Sequence, residues 1–156
     1  MTPRFFLVPI AAAVLFAGRE AVALEILMTS IDDRGNLELD VAADPPPVSL
    51  LRFTARSRAI ATYVCVNRFG SPHPDPNLQR IVTATLQTTA GLPVDVGGFI
   101  RGSMLLELPS ESAPPLRCPR FYSATLASVV HTRIEVRDQL GQTAIARDIS
   151  RLFVAP

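Results

Sequence analysis

From residue 24 onward, apolar and polar positions alternate with period two in one short run after another, and punctuation residues separate the runs. Residues 36–41 set Leu37, Leu39 and Val41 against Glu38 and Asp40, the pattern of a half-buried strand. With residues 24–30 and the turn cluster Asp32-Asp33-Arg34-Gly35 they predict an opening hairpin. Residues 48–56 put Leu51, Phe53 and Ala55 on one face and Arg52, Thr54 and Arg56 on the other. After Ser57, residues 58–67 are rich in β-branched and aromatic types, with Cys65 inside the run. Further strands are expected over 81–89, 99–108, 126–136 and 143–154. In the run 126–136, Leu126, Val130, Ile134 and Val136 share the inward parity. Val129, His131, Arg133 and Glu135 share the outward one, which makes His131 a surface residue.

The stops are equally marked. Pro45-Pro46-Pro47 ends the first hairpin, since proline cannot donate to a ladder and holds its neighbour extended. Proline at 72, 74 and 76 excludes helix and central strand from that loop. A second proline-rich loop, 109–119, delivers Cys118. No window of the chain beyond residue 23 holds the spacing of an amphipathic helix. About eight strands between turn signals predict a single all-β domain, a β-sandwich, over residues 24–156.

The N-terminus carries a different pattern. Arg4 precedes an apolar run from 5 to 17, which the charged pair Arg19 and Glu20 closes before Ala21-Val22-Ala23. That run is shorter than the roughly 20 residues a membrane-spanning helix needs. It reads as a signal peptide, residues 1–23, cleaved before Leu24. The expected location is therefore outside the cytosol, secreted or in the cell envelope. No stable membrane insertion is expected after cleavage, and the C-terminal residues 151–156 show no anchor-like apolar tail.

Charge then narrows the partners. Setting aside Arg4, Arg19 and Glu20 from 15 basic and 14 acidic residues leaves 13 of each, and every basic residue is arginine. A balanced chain has no general pull toward nucleic acid, and none is expected as a partner. Two cysteines in an exported chain read as one disulfide between Cys65 and Cys118. Their 52 intervening residues are far from the close spacing of a redox or zinc pair.

Three segments carry a resemblance. Ala61-Thr62-Tyr63-Val64-Cys65-Val66-Asn67, then Cys118-Pro119, then the strand from Ser128 through Val129, Thr132, Ile134 and Val136 to Asp138 resemble small secreted bacterial proteins frequent in actinobacteria. Those share a Y-x-C-x-N strand, a later C-P and an S-V-x-x-T-x-I-x-V-x-D strand. The match covers roughly residues 61–153. It implies an immunoglobulin-like sandwich and export, and it implies no activity. The chain has no tryptophan to pack on a disulfide, as antibody-type domains do.

Candidate chemistry is sparse. A hydrolytic triad would need His131 joined by a serine and an acid such as Ser103 and Asp138, and no G-x-S-x-G elbow is present. His73, Asp75 and Asn77 alternate on the proline-stiffened loop and could face one ion, although zinc and calcium both favour richer donor sets. The acids Asp32, Asp33, Asp40 and Asp44 read as turn and strand residues. Arg52, Arg56 and Arg58 fall on one face if their strand runs on without a bulge, and arginine forks suit carboxylate or phosphate.

The expectation is a non-catalytic exported binding or envelope-associated module with no cofactor and no resident metal, its partner an envelope protein or an anionic glycan. Two alternatives stand beside it. One is a small metal-dependent enzyme or metal carrier using His73 and Asp75. The other is a secreted inhibitor or effector that presents a pre-ordered proline loop to a partner protein.

Overall fold

The computed structural model describes residues 24–44, 49–109 and 116–154. The expected signal peptide, the residues 45–48 around the triple proline and the 110–115 part of the second proline loop lie outside the described residues. Among the described residues eight strands form: β1 Glu25–Ile31, β2 Leu37–Ala43, β3 Leu50–Asn67, β4 Gln79–Pro93, β5 Ile100–Leu106, β6 Tyr122–Asp138, β7 Thr143–Ala146 and β8 Ile149–Leu152. Among the described residues the one helical piece is a 3-10 turn, Pro76–Leu78, started by Asp75.

The strands make two antiparallel sheets. One has the order β1-β2-β5; the other runs β4-β3-β6, with β7 and β8 pairing in succession along the far side of β6. Their inner faces bury a common core. β2 supplies Leu37, Leu39 and Val41, β3 supplies Leu51, Phe53, Ala55, Ala59 and Ala61, β5 supplies Ile100, Met104 and Leu106, and β6 supplies Val129, Ile134 and Val136. Burying each large aliphatic or aromatic side chain contributes about 1.5–3 kcal/mol, so this two-sided core is the main source of stability.

β3 and β6 form the spine. They pair from Phe53 with Asp138 to Asn67 with Tyr122. The disulfide Cys65–Cys118 closes the Asn67 end, tying β3 to the segment that leads into its neighbour β6 rather than bridging the two sheets. β4 covers the other side of β3 through an unbroken register from Leu50 with Pro93 to Val64 with Gln79.

Three features depart from the sequence reading. Ser57 does not interrupt a strand: the strands expected on either side of it join into the single long β3, Leu50–Asn67. The expected last strand divides into β7 and β8 at Arg147 and Asp148. The parity of β6 is not continuous, because the β3–β6 register slips between Arg56/Arg58 and between Thr62/Tyr63. Each slip gives β6 one extra residue, which a β-bulge accommodates by bending the strand. Arg133 occupies the first bulge with φ 53°. Its N–H donates to Asp148 at 3.3 Å, opposite the break between β7 and β8. Ala127 occupies the second, its carbonyl accepting from the N–H groups of Phe153 and Val154.

Inward-facing residues are therefore even-numbered at Leu126, odd at Val129 and His131, and even again at Ile134, Val136 and Asp138. Alternation read without bulges places Leu126, Ile134 and Val136 correctly and inverts Val129, Val130 and His131 between them.

Candidate functional site

The two bulges put His131 inside the protein. It is fully buried, contrary to the surface position expected from a regular strand. Its Nε2 lies 3.0 Å from the Gly35 carbonyl and its Nδ1 lies 3.2 Å from Ser57 Oγ. A neutral ring satisfies both: Nε2–H donates to Gly35 and Nδ1 accepts from the hydroxyl. Burial disfavours the charged ring and lowers the His131 pKa below its ordinary value, against an opposing contribution from the Gly35 hydrogen bond. The imidazole thus links the larger sheet to the β1–β2 turn as a satisfied polar contact.

The rest of the supposed triad is elsewhere. Ser103 lies on the outer face of the smaller sheet and donates to Asp40 at 2.6 Å. Asp138 holds the turn after β6, its Oδ1 accepting from the N–H groups of Leu140 at 2.9 Å and Gln142 at 2.8 Å. Nothing brings the three together. The hydroxyl beside His131 belongs instead to Ser57, which sequence reasoning passed over. Its signal was a lone serine on an otherwise alanine-rich inward parity, Ala55, Ser57, Ala59, Ala61.

The His73 loop is internally occupied. His73 Nδ1 accepts from the Asp75 N–H at 3.1 Å, and Asp75 Oδ1 accepts from the N–H and the side-chain amide of Asn77, both at 2.9 Å. The His73 ring stands edge-on to Tyr122, 4.8 Å between centroids. These bonds start the 3-10 turn, as Asx turns do. Among the described residues no three His, Cys, Asp or Glu side chains converge as a metal site would require.

The acids of the first hairpin are likewise committed. Asp32 accepts from the N–H groups of Arg34 and Asn36 and from the Asn36 amide, each at 2.8 Å. Partial burial raises its pKa, but those bonds, with Arg34 nearby, outweigh it and hold the carboxyl below its ordinary value. Asp33 pairs with Arg151. Asp40 is the acceptor for Ser103.

The arginines fare differently. Arg52, Arg56 and Arg58 lie on the exposed outer face of β3, in the unbroken alternation the sequence required. Six residues at about 3.3 Å each make a row roughly 20 Å long. β6 adds a fourth: Arg137 stands opposite Thr54, and Glu135 opposite Arg56. On the other side β4 contributes Thr85, Gln87 and Thr89 opposite Arg58, Arg56 and Thr54. Arg56 Nε donates to Gln87 Oε1 at 2.9 Å, and Thr54, Arg56, Glu135 and Arg137 line a shallow depression. Among the described residues the single ion pair within 4.0 Å joins Arg151 to Asp33, so none forms within this row, where Glu135 is the one carboxylate set among the arginines. The sequence had suggested Arg52, Arg56 and Arg58. It had not suggested Arg137, which joins the row because β6 pairs with β3 and sets Arg137 opposite Thr54.

The chain matches no protein-family model, no curated protein sequence and no solved structure.

Proposed function

We propose that the protein is an exported, non-catalytic binding module that takes an anionic polysaccharide on the outer face of its larger sheet. The unpaired arginine row carries this reading. Among the described residues, four arginines, Arg52, Arg56, Arg58 and Arg137, share this face with one carboxylate, Glu135, and are bordered by threonine and glutamine side chains. Guanidinium forks recognise carboxylate, sulfate or phosphate oxygens in pairs, and neighbouring hydroxyl and amide groups exchange hydrogen bonds with sugar hydroxyls. An open sheet face suits an extended polymer better than a small molecule, which prefers a concave site. The absence of aromatic side chains between the arginines disfavours single-stranded nucleic acid, whose bases would seek stacking partners.

Export is supported by the disulfide, since such bonds persist in oxidising compartments, and by the signal-peptide pattern of residues 1–23. Both agree with kinship to the small secreted bacterial sandwich proteins that the Y-x-C-x-N and C-P motifs resemble. The non-catalytic part rests on His131, whose nitrogens are both engaged inside the core.

The test is retention of protein recovered from an exporting host on an immobilised polyuronate and on an uncharged polysaccharide. Retention is expected on the polyuronate alone, weakening between 50 and 300 mM salt as screening shortens to roughly 10 Å and below. The variant Arg52→Ala/Arg56→Ala/Arg58→Ala should lose it while keeping its melting temperature. Equal retention of that variant, or none by the wild type on carboxylated, sulfated and phosphorylated polymers alike, rejects the assignment. A turnover measured with the pure protein rejects the non-catalytic reading.

A further inference from the structure

The disulfide end of the sandwich presents two matching corners. In the first, Asn67-Arg68-Phe69-Gly70, the Gly70 N–H donates to the Asn67 carbonyl at 3.0 Å and the Asn67 side chain accepts from the N–H groups of Phe69 and Ser71. In the second, Pro119-Arg120-Phe121-Tyr122, the Tyr122 N–H donates to the Pro119 carbonyl at 3.1 Å. Asn67 and Tyr122 are register partners at the end of the β3–β6 ladder, so the corners stand side by side. Each puts an arginine and a phenylalanine at the two central turn positions, with the guanidinium over its neighbour's ring at 4.6 Å for Arg68 and 5.0 Å for Arg120.

Neither ring packs into the protein: Phe69 is 76% exposed and Phe121 80%. Phe121 moreover has φ 72°, in the left-handed region that a side chain enters at a cost and glycine enters freely. The fold has no use for a phenylalanine there that glycine would not serve better. Exposed Arg117 lies next to the disulfide, and exposed Arg80 stands opposite Tyr63 near the same end of β3. Among the described residues of this end, the acid Asp75 is turned to the Asn77 amide.

We propose that this end docks on an anionic phospholipid bilayer, with Phe69 and Phe121 entering the headgroup boundary and Arg68, Arg80, Arg117 and Arg120 meeting lipid phosphates. Rings at the tips of rigid turns reach the boundary region without unfolding any strand. Aromatic side chains favour that region, and arginine keeps its charge in the polar layer while its stem lies among apolar groups. The charge term alone is worth about a fivefold change in binding for each arginine near the surface. This is peripheral adsorption, not insertion, and it does not depend on the arginine row of the larger sheet.

The experiment is co-sedimentation of protein from an exporting host, its N-terminus fixed by intact mass, with phosphatidylcholine vesicles with and without phosphatidylglycerol. Binding is expected only where phosphatidylglycerol is present. Phe69→Ser/Phe121→Gly should bind at least about tenfold more weakly while melting no lower than the wild type, because Phe121→Gly relieves the backbone. The Arg52→Ala/Arg56→Ala/Arg58→Ala variant should bind vesicles as the wild type does. The proposal falls if wild type leaves anionic vesicles in the supernatant, if Phe69→Ser/Phe121→Gly binds equally, or if the Arg52/Arg56/Arg58 variant is the one that fails. It also falls if sedimentation velocity shows a dimer that the phenylalanine variant dissociates, which would assign the corners to a second copy of the chain.

Discussion

Lowering the pH from 7.5 to 5.5 should weaken the fold through His131. The ring is neutral in the folded state because burial opposes its charge, and its pKa there lies below the ordinary 6.5. Unfolding restores the ordinary value. Below pH 6.5 the unfolded chain therefore takes up a proton that the folded chain refuses, and stability falls as the pH falls, until the folded ring itself titrates. Across the part of that window where the folded ring stays neutral, the loss approaches about 1.4 kcal/mol per pH unit. With a urea m-value of roughly 1–3 kcal/mol/M, the midpoint should drop by about 0.5–1.4 M for each such unit.

The assay is urea denaturation followed by far-UV circular dichroism with the disulfide intact, at pH 7.5, 6.5 and 5.5. His131→Gln, which has no proton to gain, should be less stable at pH 7.5 by about 1–3 kcal/mol through its misplaced hydrogen bonds and should show little slope above pH 5.5. The carboxylates belong to a lower window; Asp32, held below its ordinary 3.8, contributes stability that is lost only as the pH falls below that value. A wild-type midpoint that stays level to pH 5.5, or a His131→Gln variant with the wild-type slope, would refute the buried neutral ring.

Three further outcomes are expected. Arg133→Gly should raise the urea midpoint by an amount equivalent to roughly 0.5–1 kcal/mol, because φ 53° costs a side chain more than glycine loses in entropy. Gly35→Ala should destabilise by about 2 kcal/mol or more in the same titration. Gly35 has φ 85°, and an added Cβ would stand 2.8 Å from side-chain atoms of both Leu108 and Leu126. Cys65→Ser/Cys118→Ser should cost about 4 kcal/mol, seen as a lower melting temperature by calorimetry.

Period-two alternation and proline punctuation made the strand class legible, since a strand buried on one face writes its pattern directly into the sequence. Leu37, Leu39 and Val41 on β2 and the outward arginines of β3 were readable for that reason. Bulges are the physical limit of such reading. An extra residue at Ala127 or Arg133 carries no composition signal, and Arg133 lacks the glycine that would ordinarily advertise a positive φ. The orientation of His131 depends on both bulges, so its environment could not be inferred from its own strand. Ser57 misled in another way: a polar residue on an inward parity looks like a strand end when its partner is a histidine assigned to solvent. The 143–154 strand could not be divided in advance because its break mirrors the Arg133 bulge across the ladder. The matched corners, two Arg-Phe pairs each beside a turn former, escaped the sequence reading, since nothing linear tells that 67 and 122 are neighbours.

The placement of the disulfide changes how the two central strands find each other. Asn67 and Tyr122, the first register partners beyond it, are 55 residues apart along the chain. Once Cys65 and Cys118 are joined, the path between them is two residues back to the bond and four residues forward from it, six in all. The entropic cost of closing a loop grows as the logarithm of its length, so the shortcut lowers it by about 2 kcal/mol. Oxidation thereby turns a long-range pairing into something close to a hairpin, from which β3 and β6 can zip toward Phe53 and Asp138. Reduced chain must search for the same register across the whole intervening segment, and sheets built from distant pairings are slow to form. Early thiol oxidation is thus the step that converts a slow topology into a fast one, and refolding with the disulfide intact should outpace refolding of the reduced protein by more than tenfold.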